Sequence, residues 1–399
     1  MNQTQLDPIV ITACARTPIG AFQGELSALS APALGAATIA ATLQRSGLNT
    51  DQIDEVIMGC VLPAGQGQAP ARQAALGAGL SIATACTTLN KMCGSGMRAV
   101  MTMHDMLMAG SVQIGVAGGM ESMTNAPHLL LSARQGYRLG HATLYDHMLL
   151  DGLEDAYEKG RSMGVFGEDC AAKFQFSRSQ QDEYASLSIQ RAQQAAQQGA
   201  FNWEIVPVTV PNKKGEAVIG SDEGPRRAKP DAIAKLKPAF KKDGTITAAS
   251  ASSISDGAAA LMLMRRSYAQ RLGLQPLARI VGHASFAQEP NWFTTAPIGA
   301  VRKLLKQINW GINDVDLWEI NEAFAVVPMA AIHELALSID KVNIYGGACV
   351  LGHPIGASGA RIMITLLAAL RQQQKQRGVA SLCIGGGEAT AIALDLDAE

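Results

Sequence analysis

The sequence of 399 residues predicts an α/β fold in which one α/β unit occurs twice, and three observations carry that prediction. Short apolar strands alternate with Ala-rich helical segments, the pattern of covered sheets. Hydrophobic residues make up 48% of the chain, with 40 glycines but only 5% aromatics, which suits layers packed tightly from small side chains. Three segments also recur in the same order late in the chain, at close spacing. A chain of this length exceeds one ordinary core, so two or three domains are expected.

The elements follow in order. "PIVITACART" predicts a strand, "APALGAATIAATLQRSG" a helix and "IDEVIMGCV" a second strand. "GSGMRAVMTMHDMLMAG" predicts a buried helix, and "VQIGVAGGMESM" a strand ending in glycines. The C-terminal part replays this order. "INDVDLWEINEAF" matches "TDQIDEVIMGCV", with strands ending near Gly59 and Asn321. "GASGARIMITLLAALRQ" matches "CGSGMRAVMTMHDML", and "ASLCIGGGEATAIAL" matches "VQIGVAGGMESM". The segment from about Thr124 to about Lys242 differs in character, with charged runs such as "DEGPRRAKP" and the polar helix "SRSQQDEYASLSIQRAQQAAQQG". It reads as an insertion placing substrate contacts, or simply a solvated helical surface, over a rigid scaffold. The expected division is 1–123, an insertion over 124–242, a return to the first half over 243–274, and a second half over 275–399.

Formal net charge is −1, so nothing points to nucleic acid or an anionic membrane. No apolar stretch is long enough to span a bilayer. The first residues lack a basic region followed by an apolar one, so no secretory signal is expected. Seven scattered cysteines with no CxxC pair argue against a disulfide framework or structural zinc and for a reducing, cytoplasmic compartment. The seven histidines show no HExxH-like grouping, and no metal is expected in the chemistry.

The chemistry concentrates at glycine-flanked positions. In "NKMCGSGMRAVM" Cys93 precedes two glycines at the mouth of a helix. It reads either as a small buried core residue or as a nucleophile whose thiolate the helix N-terminus favours. In the second copy, "GGACVLGHPIGASGAR" sets His353 just before the matching helix, and imidazole is the natural proton acceptor for a thiol. Cys383 precedes the triple glycine of "CIGGGEATAIAL". Asn321, in "NEAFA", sits at a strand end, where ligand crevices form and an amide can hold a water or a substrate oxygen. Its neighbour Glu322 is either an anchor for the site or a satisfied buried acid. "GSGMRA" formally fits a relaxed dinucleotide fingerprint, but it lies outside the first βα turn and follows the polar "TTLNKMC" rather than a clean strand. A Cys–His hydrolase would use Cys93 and His353 but leaves Cys383 without a task.

Together "NKMCGSGMRAV", "NEAFA", "GGACVLGHPIGASGAR" and "CIGGGEATAIAL" resemble the thiolase family, closest to its short-chain members, over essentially the whole chain. The resemblance implies an α/β thiolase fold: duplicated βαβαβαββ halves in a five-layered αβαβα core, with an inserted loop domain that binds coenzyme A, assembled as a homotetramer. It implies an acyltransferase condensing two acetyl-CoA to acetoacetyl-CoA and CoA by a reversible ping-pong Claisen reaction. No cofactor is implied beyond CoA as part of the substrate, and fatty acid metabolism is the implied setting. By the same resemblance Cys93 matches the acyl acceptor, His353 its base, and Cys383 the thiol that moves the α-proton. Asn321 matches the amide that positions a water beside His353, forming one oxyanion hole. The backbone N–H groups of Cys93 and Gly385 match the other. Ser252, Met163, Arg226 and Leu236 match substrate-binding positions, with Met163 closing the acyl pocket.

Departures from the commonest pattern are Ser162 where many relatives carry His, Glu388-Ala389 where Met-Gly is frequent, and "TAASASS" for "TAGNASG". These bear on acyl-chain specificity and CoA contacts, and leave the catalytic residues in place. The alternatives are a broader-range 3-ketoacyl-CoA thiolase, a ketoacyl synthase and a non-catalytic CoA- or lipid-binding relative. A ketoacyl synthase has no second catalytic Cys before a triple glycine. A non-catalytic relative is expected to have lost at least one of Cys93, Asn321, His353 or Cys383.

Overall fold

A computed structural model describes residues 7–213 and 215–397. The expectation about a leader segment rests partly on residues 1–6, which lie outside the described residues. The first half comprises β1 (Ile9–Arg16), α1 (Ala31–Ser46), β2 (Glu55–Gly59), α2 (Pro70–Gly77), β3 (Ala85–Leu89), α3 (Ser95–Ala109), β4 (Ile114–Ser122) and β5 (Ser255–Arg265). The second comprises β6 (Ala278–Ala287), α6 (Ala296–Ile308), β7 (Leu317–Ile320), α7 (Val326–Leu335), α8 (Ser358–Gln372), β8 (Arg377–Ile384) and β9 (Glu388–Asp395). Between β4 and β5 the chain makes its long excursion, which holds α4 (Met163–Phe174) and α5 (Arg178–Gln197). Residues 243–254, beyond the boundary drawn from sequence at 242, complete the return crossing.

The strands form one continuous sheet in the order β7-β8-β9-β6-β1-β5-β4-β2-β3, joined at the centre by antiparallel pairing of β1 with β6. Reading outward from that seam shows the duplication. The order β1-β5-β4-β2 in one half corresponds to β6-β9-β8-β7 in the other: first strand, last strand, then the two parallel strands. Even β3 has a trace of a counterpart, a parallel bridge between Trp318 and Val342. What differs is the link between the last two strands. The second half turns directly from β8 into β9 through Gly385–Gly387, where the first half inserts residues 123–254.

The sequence reading missed β3. "ACTTL" is polar and half exposed, because it lies at the sheet edge, where threonine is a good strand former and burial imposes no alternation. Cys93 therefore does follow a strand.

Three apolar layers give the five-layered sandwich. Helices α1 and α2 cover one face of the first half, α6 covers the outer face of the second, and α3 lies against α8 between the two. Local sequence sets the helix ends. Ser30 caps α1 by accepting from Ala33 N, and Gly47 closes it at φ 70°. Ser177 and Gln180 form a capping box on α5. In the central layer the helix starts nearly touch: a Cβ on Gly96 would lie 2.9 Å from Ala360 N, and one on Gly359 would collide with Met97. The glycines of "GSG" and "ASG" thus permit the close crossing that carries the Cys93 loop toward the His353 loop. The excursion is bolted to β1 by buried Arg16, whose guanidinium donates to Glu204 at 2.6 Å and to both oxygens of Asp222 at 2.8 and 2.9 Å.

Candidate active site

Cys93 sits in the bend between β3 and α3. Met92 adopts φ 47°, Gly94 N donates to Lys91 O, and Ser95 closes the turn. Its Oγ accepts from Lys91 N at 2.8 Å while its hydroxyl donates to Met92 O at 2.7 Å. No side chain caps α3, and its first N–H, that of Ser95, donates to Met92 O within the turn. The backbone N–H groups of Gly385 and of Cys93 itself favour the charged form of the Cys93 thiol. Both donors lower its pKa, yet burial outweighs them and pushes it up to about 11. Burial thus opposes the thiolate that the helix mouth favours, and the resting group is a thiol.

His353 is buried, and burial, reinforced by the Arg361 charge, lowers its pKa to about 3, so the imidazole is neutral. Its Nδ1 lies 2.6 Å from Ser358 Oγ, whose hydroxyl donates to Pro354 O at 3.0 Å. Ser358 must then accept at Nδ1, which assigns the proton there and leaves Nε2 as the basic nitrogen. Among the described residues Nε2 has no hydrogen-bond partner. Neither polar side-chain atom of Asn321 has one among them either, although the residue is 1% exposed. Buried polar atoms are normally paired. Three bare ones at loops predicted to meet are the mark of a site that binds polar atoms from elsewhere.

Cys383, at the end of β8, precedes Ile384, with which a Cβ on Gly94 would collide, so β8 ends against the Cys93 loop. Burial raises the Cys383 pKa well above the usual thiol range, and a thiolate at Cys93 would raise it further. Gly385 approaches the excursion, since a Cβ there would lie 3.6 Å from Met163 Sδ.

Two buried carboxylates hold these loops, and sequence reasoning gave only one of them a role. Glu322 accepts from Tyr184, Ser188, Asn343 and the Cys349 N–H at 2.8–3.1 Å, so it is both a satisfied buried acid and the anchor joining "NEAF" to α5 and the His353 loop. Glu121, the missed one, accepts from Val61 N, Leu62 N and Gly356 N, tying the end of β4 to the His353 loop. Burial raises its pKa to about 7 against those three donors. The available signal was an acid ending a strand that is apolar on both faces. An ion pair between Lys91 and Glu388 joins the Cys93 loop to β9.

A pocket of about 260 Å³ opens over His353, walled by Met123, Leu149, Met163, Phe240, Phe324 and Ile355. It meets a wider groove of about 660 Å³ at Ala251, Ser252, Ser253 and Ile254, which line both. Ser252 is held there by its N–H to Ala323 O at 2.9 Å. Leu236 lines the groove. Arg226 does not: it pairs with Glu25 and donates to Asp222 O at 3.2 Å, while Arg227 and Lys229 line the groove instead. The local helix places consecutive arginines on different faces.

A thiol at a helix mouth, a neutral imidazole with a bare nitrogen, and a narrow pocket fed by a long groove define an acyl-transferring enzyme. The chain belongs to the thiolase family, matching "Thiolase, N-terminal domain" over residues 9–267 and "Thiolase, C-terminal domain" over residues 274–396. It is 48% identical to an acetyl-CoA acetyltransferase of Chromobacterium violaceum, over 97% of this chain and 99% of that protein. It is 49% identical to acetyl-CoA acetyltransferase 2 of Arabidopsis thaliana, over 97% of each chain. The crystal structure of the Bacillus anthracis acetyl-CoA acetyltransferase superposes with a TM-score of 0.95 at 38% identity, covering 98% of this chain and 99% of that one. The duplicated fold expected from the motifs is therefore the fold observed.

Proposed function

We propose that this chain is an acetyl-CoA C-acetyltransferase, condensing two acetyl-CoA to acetoacetyl-CoA and CoA and running in reverse as thiolysis. What supports the reading is the approach of the Cys93 loop to the end of β8, where a Cβ on Gly94 would collide with Ile384, the neighbour of the second thiol Cys383. The names of the relatives support the substrate.

In the first half-reaction His353 Nε2 takes the Cys93 proton as Sγ attacks the thioester carbonyl. CoA leaves as a thiol with the proton of Cys383, so that acetyl-Cys93, a protonated His353 and a Cys383 thiolate remain. In the second, that thiolate removes an α-proton from a new acetyl-CoA. Its enolate oxygen is held by His353 and by a water on Asn321. The α-carbon attacks acetyl-Cys93, whose carbonyl oxygen is held by the Cys93 and Gly385 N–H groups, and the Cys93 thiolate departs and takes back its proton from His353. Each such donor contributes about 2.7–4 kcal/mol to lowering the barrier. The resting thiol and neutral imidazole mean that charge appears only as substrate arrives, when the carbonyl oxygen meets donors already in place.

The groove takes the pantetheine arm along Ser252 and Leu236, with Arg227 and Lys229 at its basic wall, and Met163 shortens the acyl end. The reaction needs no cofactor beyond CoA. A reducing, cytoplasmic setting accords with seven free cysteines, and among the described residues no helix is long and apolar enough to cross a membrane. A homotetramer and a place in fatty acid metabolism complete the reading by family resemblance.

The test is Cys383→Ser. It keeps size and a hydroxyl but makes a poor base. The variant should form acetyl-Cys93, seen by peptide mass spectrometry, while losing condensation and exchange of the acetyl methyl protons with deuterated water. Condensation near the wild-type rate, or stable acetylation at Cys349 instead of Cys93, overturns the mechanism.

A further inference from the structure

Helix α3 starts beside the catalytic thiol and, about three turns later, brings His104 and Asp105 against His283 of β6. His104 Nδ1 lies 3.2 Å from Asp105 Oδ1 and 3.2 Å from His283 Nε2. His283 Nε2 in turn lies 3.0 Å from Asp105 Oδ1. Among the described residues these are the three potential metal-ligating side chains whose donor atoms converge on one point. The proposed reaction uses none of them.

We infer that His104, Asp105 and His283 form a binding site for one divalent transition-metal cation of the Co²⁺, Ni²⁺ or Zn²⁺ type, linking the two halves of the fold. Two imidazoles and a carboxylate are the donor set such cations take, whereas Mg²⁺ and Ca²⁺ prefer oxygen alone. The spacing fits as well. Donors about 2.0–2.1 Å from a metal stand about 2.9 Å apart along an octahedral edge and about 3.4 Å apart along a tetrahedral one. The three observed separations fall between these values, so a cation above the triangle requires little rearrangement.

Helix geometry makes the convergence informative. Adjacent residues on a helix do not face each other. His104 Nδ1 and Asp105 Oδ1 meet because both side chains lean toward His283. The two rings are set edge to face, with centroids 4.9 Å apart, and their side chains are only 16% and 15% exposed. Packing therefore fixes both nitrogens. Asp105 is 56% exposed and leaves an open side where water completes the coordination. The sequence gave no hint of this trio, because His283 lies 178 residues from Asp105.

The competing account is a hydrogen-bonded trio that binds no metal. The full chain, stripped with chelator, is titrated with Co²⁺ and followed by visible absorption and by thermal unfolding. Expected is one Co²⁺ per chain, a d–d spectrum without a thiolate-to-cobalt charge-transfer band, and a raised Tm. His283→Phe and Asp105→Asn should each weaken binding by at least about 10-fold. Asp105→Asn changes a single exposed atom and serves as the test if His283→Phe does not fold. Absence of binding at millimolar Co²⁺, binding unchanged in the folded variants, or a thiolate band that assigns the cation to cysteine would each overturn the inference.

Discussion

Replacing Ser358 with alanine isolates what holds the imidazole proposed as the base. Ser358 is fully buried, and its Oγ is the acceptor found for His353 Nδ1, at 2.6 Å. Without it the ring either keeps an unsatisfied buried N–H or moves the proton to Nε2 and ceases to be a base. Leaving a buried donor unpaired costs ~1–3 kcal/mol. At about 1.4 kcal/mol per tenfold in rate, the acetylation step should slow by ~5- to 150-fold. The assay is rapid mixing with acetyl-CoA, following release of the first CoA, alongside steady-state thiolysis of acetoacetyl-CoA. The loss is expected in kcat, with KM changed little, because Ser358 touches the base and lines neither pocket nor groove. Acetylation within twofold of wild type, or a loss confined to KM, would refute the argument that Ser358 sets the tautomer.

Three further outcomes are expected. Iodoacetamide should alkylate Cys93 in the free enzyme at a rate that keeps rising through about pH 9, since burial holds the thiol near 11; a plateau near neutrality would show a preformed thiolate. His353 has a folded pKa of about 3 against the ordinary 6.5, so the unfolded chain binds a proton that the native chain refuses. Its contribution to stability is complete above the unfolded value and is lost as pH falls from there toward 3, by up to about 1.4 kcal/mol per pH unit. His353→Gln should therefore gain Tm relative to wild type at acid pH but not at pH 8, and an equal difference at both would contradict it. Met163→Ala should raise thiolysis of C6 3-ketoacyl-CoA relative to C4, because the thioether is a wall of the pocket near Gly385; an unchanged ratio removes Met163 from chain-length selection.

Much was legible in the linear pattern because it is local. Strand and helix periodicity, the cap at Ser30 and the capping box at Ser177 each depend on neighbours within a few residues. The repeat was visible because two copies of a unit keep the same order of apolar segments, and that order reappears as the mirrored strand sequence about the β1–β6 seam. The glycine-flanked cysteines and histidine stood out because close backbone approach excludes larger residues.

Other properties belonged to the tertiary structure alone. "CGSG" suggests a helix mouth and hence a thiolate, but burial is a sum over contacts from distant segments, and it overrides the local donors at Cys93. Glu121 looks like any strand-end acid until Gly356, 235 residues away, donates to it. Arg226 and Arg227 are equivalent in sequence, and only the packing of their short helix turns one toward Glu25 and the other toward the groove. The His104–Asp105–His283 trio exists only where α3 crosses β6. Composition and spacing determined which elements form and in what order. Electrostatic environment and long-range contact depend on where those elements cross, and that is settled only when the two halves pack together.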